Sequence, residues 1–264
     1  MTSEYMTDEL FDVSGQTVVI TGAAGLIGSE LVRAFRARGA NVAAVDVAFP
    51  QGWDCGGDLA GAIEPFPCDV SKSENVRQLV GAVEKRFGVA DVLINSHHYK
   101  PTGFLSAQAE TFPDELWDSI INVNLRATFV TCREFGSRML QQGRGSIINF
   151  ASTYGLVSSN PDLYEDNSLG NPVAYTASKG GVIMLTKYLG AYWAARGVRV
   201  NCVTPHGVAR NQEEDFLKRF NAKSPMKRIM TADEITGAVI FLASRAGSYA
   251  VASNVVIDGG WTAW

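Results

Sequence analysis

The chain has 264 residues, 46% of them hydrophobic, and a formal net charge of −4. That length suits one large α/β domain over residues 1–264, with no linker dividing it, and the acidic balance argues against a nucleic-acid partner. The four cysteines form no C-x-x-C spacing and there are only three histidines, so neither a disulfide framework nor a zinc motif is expected, and no metal.

Residues 1–14 form an acidic, polar N-terminal extension without the basic start and apolar middle of a signal peptide, which points to the cytoplasm. Thr17 to Thr21 is a β-branched run that reads as a buried strand, and Leu26 to Arg38 has helical periodicity closed by Gly39. Between them lies T-G-A-A-G-L-I-G. Gly22, Gly25 and Gly28 would let a tight strand-to-helix turn approach a pyrophosphate at the helix N-terminus, although a glycine turn also has a purely conformational reading. The next strand, Asn41 to Val45, ends in Asp46, near the offset at which an acid grips the adenosine ribose of NAD. A carboxylate there would repel a 2′-phosphate, so NAD is expected over NADP.

Val47 to Ala62 reads as a glycine-rich connection before a strand ending at Cys68. Asp69 and Val70 follow at the strand's carboxyl edge, beside the expected adenine, and Ser71 with Glu74 predicts a capping box for a helix reaching Phe87. Asp91 to Asn95 is a fourth strand, followed by Ser96, His97, His98 and Tyr99; a helix from about Pro113 runs past Asn122 and Asn124 to Gln142. Ser146 to Ala151 delivers Ser152 to the end of a fifth strand. Residues 153–172 read as a substrate-side loop, since loops this long inside a compact domain are usually functional or mobile.

Tyr175 and Lys179 are four apart on the next helix, so an ammonium can approach a phenol and favour its ionised form. The pair is either a proton-transfer device or an ordinary helix-face contact; only context decides. The apolar stretch Gly181 to Ala195, interrupted by Lys187, is too short to span a bilayer and reads as a buried helix. Gly197 stops that helix before a strand from Val198 to Thr204, with Pro205, His206 and Gly207 beyond it. Gln212 to Phe220 looks helical, Thr231 with Glu234 forms a second capping box, and Asn254 to Asp258 is the last strand. The alternation predicts a three-layer, doubly wound parallel sheet of about seven strands, a Rossmann fold, with ligands at the strands' carboxyl ends.

In this order T-G-x-x-G-x-x-G, Asp46, Asp69-Val70, Asn95, Asn124, Ser152, Tyr175-x-x-x-Lys179 and Arg199-Val200-Asn201 with Pro205 resemble the short-chain dehydrogenase/reductase family over nearly the whole chain. The resemblance implies that Tyr175 is the general acid/base and that Lys179 holds the nicotinamide ribose and lowers the phenol's pKa. It also implies that Ser152 orients the reacting oxygen and that Asn124 supports a water to Lys179. Cofactor contacts are implied for Gly22, Gly25, Leu26, Ile27, Gly28, Asp46, Asp69, Val70, Asn95, Tyr175, Lys179, Pro205 and Val208. Two departures stand out. The glycine spacing looks like the family's extended, sugar-nucleotide branch, because Leu26 occupies the usual place of the second glycine. His97, His98 and His206 replace residues that are normally small, so they either turn away or shape the pocket. The chain's ending and its loop after Ser152 look similar to a surface-sugar biosynthesis subgroup.

The leading expectation is an NAD-dependent alcohol dehydrogenase or ketoreductase acting on a polyhydroxylated, sugar-derived small molecule. Aromatic groups at Tyr99, Tyr154, Tyr164, Trp261 and Trp264, with Asn160, Asp162 and Asn167, suit a sugar. The rivals are a non-catalytic dinucleotide-binding regulatory module, for which the histidines speak, and a sugar epimerase or dehydratase that retains NAD, for which the glycine spacing speaks. A homo-oligomer, tetramer or dimer, is expected through the helices carrying Asn124 and Tyr175. No membrane association is expected.

Overall fold

The structure, a computed structural model, describes residues 9–53, 57–102, 104, 108–160, 173–210, 212 and 214–264. Cys55, most of the N-terminal extension, and Asp162, Tyr164 and Asn167 of the substrate-side loop lie outside the described residues.

Seven strands build one sheet: β1 (Thr17–Thr21), β2 (Asn41–Asp46), β3 (Ile63–Pro67), β4 (Val92–Asn95), β5 (Gly145–Phe150), β6 (Val198–Pro205) and β7 (Asn254–Ile257). Their order is β3-β2-β1-β4-β5-β6-β7 and every pairing is parallel, from Thr17 opposite Asn41 to Pro205 opposite Ile257. Parallel sheets are covered on both faces, so their strands are apolar throughout rather than alternating. β1 fits this: all five residues are buried, Val18 and Ile20 towards one layer and Val19 towards the other.

The first layer contains α1 (Leu26–Ala37) and α6 (Thr236–Ala243), which bury Leu31, Val32, Phe35, Val239 and Leu242. The second contains α2 (Ser73–Phe87), α4 (Ala127–Gln142) and α5 (Val173–Trp193), with Val76, Phe135, Met139 and Trp193 against the sheet. Truncating a core side chain such as Phe35, which is 0% exposed, to alanine costs about 3–5 kcal/mol through lost burial and the void left behind. The chain winds one way from β1 to β2 and the other way from β1 to β4, so a crevice opens at the carboxyl ends between them.

Three local expectations need correction. The Ser71–Glu74 capping box does not form: α2 starts beyond Lys72, Ser71 donates its hydroxyl to Asp69 at 2.6 Å, and Glu74 pairs with Arg77 instead. The box at Thr231 and Glu234 is present. The helix from Pro113 to Gln142 is interrupted: α3 (Asp114–Ile121) passes through a π-helical turn, Asn122–Arg126, before α4 resumes. The apolar run in α5 is buried on one side only, since Met184, Tyr188 and Tyr192 are 61%, 65% and 62% exposed. No described helix is long and apolar enough to cross a membrane.

Candidate active site

A cleft of about 1270 Å³ runs along the carboxyl ends of the strands. Its β1–β2 half is a cradle. A Cβ on Gly28 would lie 1.9 Å from the Gly22 carbonyl oxygen, and one on Gly22, at φ +73°, would lie 2.8 Å from the His97 backbone. Only glycine permits this approach, and it brings the start of α1 to the cleft with no side chain capping it. The unsatisfied first-turn amides and the helix dipole suit a pyrophosphate. Asp46 stands over the loop, its carboxylate accepting from the backbone N–H of Ala24 at 3.0 Å and of Val47 at 2.8 Å. These bonds fix the carboxylate and leave lone pairs for a ribose hydroxyl. At the far edge Asp69 accepts from the Ser71 amide at 3.0 Å, and Val70 lies beside it on the cleft wall. The residues therefore fit a dinucleotide.

The other half of the cleft carries Tyr175, Lys179 and Ser152, the groups expected to react. Tyr175 and Lys179 project from the first turns of α5, and Lys179 Nζ lies 5.7 Å from the Tyr175 ring centre. Lys179 is buried and donates from Nζ to the Phe150 carbonyl at 2.6 Å. Burial, helped by the charge of Lys100, lowers its pKa to about 7. Ser152 follows β5; its Oγ accepts from the Tyr154 amide at 3.2 Å, so its hydroxyl proton remains for a ligand. The Tyr175 ring rests against Phe104, edge-on at 5.7 Å, in an apolar nest with Ile120 and Ala174.

Of the expected catalytic groups, Ser152, Tyr175 and Lys179 line one cleft. Asn124 does not. It is wholly buried in the π-turn, its side-chain oxygen accepting from the Tyr99 amide at 2.7 Å and its carbonyl from Thr128 Oγ1 at 2.9 Å. In this state it pins the loop after β4. Every expected cofactor contact lines the cleft except Asn95, which is turned into the core, where Nδ2 donates to Asn149 at 2.9 Å and Oδ1 accepts from Thr131 at 2.8 Å. A strand-end polar residue in an apolar layer needs a partner, and Asn149 and Thr131 supply it.

The histidines take different roles. His97 turns inward, Nδ1 2.6 Å from Thr21 Oγ1 and Nε2 3.4 Å from Thr128 Oγ1, and burial lowers its pKa to about 3. His98 faces the cleft and is exposed there. His206 lies 2.5 Å from Thr153 Oγ1 through Nδ1, stacks on Phe220 at 4.8 Å and packs at a tilt against Trp261 at 4.2 Å. Burial lowers its pKa to about 4 despite the opposing charge of Asp258. Trp261 thus backs the cleft wall, whereas Trp264 is 83% exposed and does not line it. Tyr99 and Tyr154 do line it. Sequence reasoning missed Lys100, Phe104, Arg210 and the Phe150 carbonyl, none of which sits in a recognisable spacing. No group of three or more potential metal ligands occurs among the described residues.

Residues 22–262 match the family described as Enoyl-(Acyl carrier protein) reductase. The chain belongs to the short-chain dehydrogenase/reductase family. D-threitol dehydrogenase of Mycolicibacterium smegmatis is 36% identical over 271 residues, covering 98% of this chain and 97% of that protein. Galactitol 2-dehydrogenase (L-tagatose-forming) of Cereibacter sphaeroides is 32% identical, covering 97% and 98%. Among solved structures, a short chain dehydrogenase from Leptospira borgpetersenii with bound NAD+ superposes with a TM-score of 0.87 at 30% identity, covering 99% of this chain and 97% of that one.

Proposed function

We propose that the protein is an NAD-dependent dehydrogenase that interconverts a secondary alcohol and a ketone on a polyhydroxylated small molecule. The observation that carries this is the convergence of Tyr175, Lys179 and Ser152 on the same cleft as the glycine loop and Asp46. The polyol dehydrogenases among its relatives support the substrate class.

NAD, when bound, supplies the acceptor for hydride. In the oxidative direction Ser152 donates its hydroxyl proton to the substrate's carbinol oxygen and fixes that oxygen beside Tyr175. The ionised phenol takes the carbinol proton as the C–H bond electrons leave the carbinol carbon, so the alcohol becomes a ketone and the proton rests on the Tyr175 oxygen until it passes to solvent. Lys179, held by the Phe150 carbonyl, has two further N–H groups for the ribose hydroxyls and places positive charge near the phenolate. Asn124, through Tyr99, sets the loop that closes this half of the cleft. Asp46 would hold the adenosine ribose and the start of α1 the pyrophosphate, and the Asp46 carboxylate favours NAD over NADP.

Such an enzyme would work in a reducing compartment such as the cytoplasm, in keeping with the free buried thiols of Cys68, Cys132 and Cys202. The exposed Met184, Tyr188 and Tyr192 face of α5 supports assembly as a dimer or tetramer. The deciding experiment is a panel of polyols and ketoses assayed for NADH formation or consumption. Substrate-dependent NADH turnover that disappears in Tyr175→Phe is expected. Conversion of a sugar without net NADH would favour an epimerase, and NAD binding without any turnover would favour a regulatory module.

A further inference from the structure

The two halves of the cleft carry opposite charge. Asp46 and Asp69, beyond β2 and β3, are the acids lining it among the described residues, and both stand at the adenosine end. The half beyond β4, β5 and β6 contains Lys100, Lys179 and Arg210. Lys179 is buried and held by the Phe150 carbonyl. Lys100 and Arg210 are different. Neither side chain has an ion-pair partner among the described residues, and both are exposed to the cleft.

Their placement is specific. Lys100 Nζ lies 5.8 Å from the Tyr175 ring centre, nearly the distance of Lys179 Nζ, so two ammonium groups approach the phenol. Lys100 and Arg210 come from loops after different strands and are close enough to repel. Desolvation and the Arg210 charge lower the pKa of Lys100, and Lys100 in turn contributes to lowering that of Lys179. Like charges gathered around a reacting group are unfavourable unless something of opposite sign answers them. The dinucleotide's phosphates belong at the start of α1, beyond β1, whereas Lys100 stands beside the phenol where the substrate's reacting carbon must lie, and Arg210 lines the same cleft close enough for its charge to act on Lys100.

We propose that Lys100 and Arg210 bind an anionic group on the substrate, so that the polyol oxidised here carries a carboxylate or a phosphate at one end. This rests on the dehydrogenase reading above and sharpens it from polyols in general to sugar acids or sugar phosphates. Arg210 presents a planar fork that pairs with two oxygens of either group, and Lys100 adds a point charge beside the phenol. The anion is held at one end of the chain, which selects the hydroxyl presented to Tyr175 and Ser152 by its distance from that end.

The test compares matched substrates of four to six carbons with NAD: for the five-carbon member xylitol, D-xylonate and xylitol 5-phosphate. At least one anion is expected to exceed its neutral counterpart in kcat/KM by roughly tenfold or more, an advantage that shrinks as ionic strength rises. The carboxylate and phosphate arms identify which group is bound. In Lys100→Gln/Arg210→Gln the ratio of anionic to neutral kcat/KM should collapse towards one, while the NAD dissociation constant, titrated without substrate, moves less than about twofold. Neutral polyols turned over as well as or better than both anions would overturn the proposal and leave the polyol dehydrogenase reading standing. A double variant that keeps the anion preference overturns it too, as does one that loses NAD affinity in step, which would assign the pair to the cofactor's phosphates. Absence of turnover on every neutral and charged polyol would refute the dehydrogenase reading and this one together.

Discussion

Lys179 donates to the carbonyl of Phe150, the last residue of β5, at 2.6 Å, which ties α5 to the strand that presents Ser152 two residues later. One hydrogen bond thus sets the depth of the ammonium relative to both the phenol and the serine hydroxyl. The bond is buried, where a charged donor without an acceptor would cost several kcal/mol, so the carbonyl is part of the site as much as the side chains are.

Tyr175→Phe keeps the ring in its nest with Phe104 and Ile120 and removes the proton carrier. Turnover should fall by about 10² to 10⁴-fold with NAD affinity nearly unchanged. Lys179→Met should reduce both, because it loses a ribose contact and the charge that favours the phenolate. Steady-state rates with a fluorescence titration of NAD separate the two; equal turnover by wild type and Tyr175→Phe would refute the mechanism.

Cofactor binding should change the protonation of Lys179. Burial holds its pKa at about 7 in the free protein, so a large fraction is neutral in mildly alkaline solution, and the negative charge of the dinucleotide favours the ammonium. In Tyr175→Phe, where the phenol cannot release a compensating proton, NAD binding at about pH 8 should take up part of a proton. Calorimetry in Tris and in phosphate measures it as a difference in apparent enthalpy, and identical enthalpies after correction for buffer ionisation would contradict the assignment.

Asp46 should set the choice of dinucleotide. A fixed carboxylate a few Å from a 2′-phosphate gives a preference for NAD over NADP of at least ~1.4 kcal/mol, or ~10-fold, even with strong screening. Asp46→Ser should narrow that ratio mainly by improving NADP. Equal affinities in the unaltered protein would remove Asp46 from the ribose.

Acid should destabilise the fold through its inward histidines. The folded pKa values of His97 and His206 are lowered to about 3 and about 4, below the ordinary 6.5, so the unfolded chain binds more protons between these limits. Their contribution is complete above the ordinary value and is lost as pH falls through the folded values, at up to ~1.4 kcal/mol per pH unit for each. His206→Gln, whose amide can still reach Thr153, should flatten the fall in urea midpoint between about pH 7 and about pH 5. An unchanged slope would place the acid sensitivity elsewhere.

Self-association should depend on α5. Tyr188 and Tyr192 stack at 5.8 Å on its exposed face with Met184 above them. Light scattering is expected to give a multiple of the 28.4 kDa chain, reduced by Tyr188→Glu with Tyr192→Glu. A monomer mass at all concentrations would rule the assembly out.

Much of this was legible in the sequence because the elements carry local signals. The both-faces-apolar run of β1, the Gly22 and Gly28 turn and the strand-end position of Asp46 each follow from backbone chemistry that leaves a mark on neighbouring residues. The Ser71–Glu74 box failed because Asp69 and Arg77, equally close in sequence, compete for the same two side chains. Asn95 and Asn124 are expected at the cleft from the family resemblance alone, yet their partners Asn149, Thr131 and the Tyr99 amide come from distant elements and hold both side chains inward. Lys100 and Arg210 left no trace at all, since a pairing made across two loops has no spacing to read.

The π-turn at Asn122–Arg126 has a geometric corollary. An added residue in a helix turns everything beyond it by about 100° about the axis. α3 therefore presents a different set of side chains to the site than a regular continuation of α4 would, and this phase puts Ile120 and Leu116 in the apolar cluster against which the Tyr175 ring packs. Deleting a single residue from this turn would leave a straighter helix with its outer half rotated out of phase. The phenol would lose its backing without any change to the residues that touch substrate.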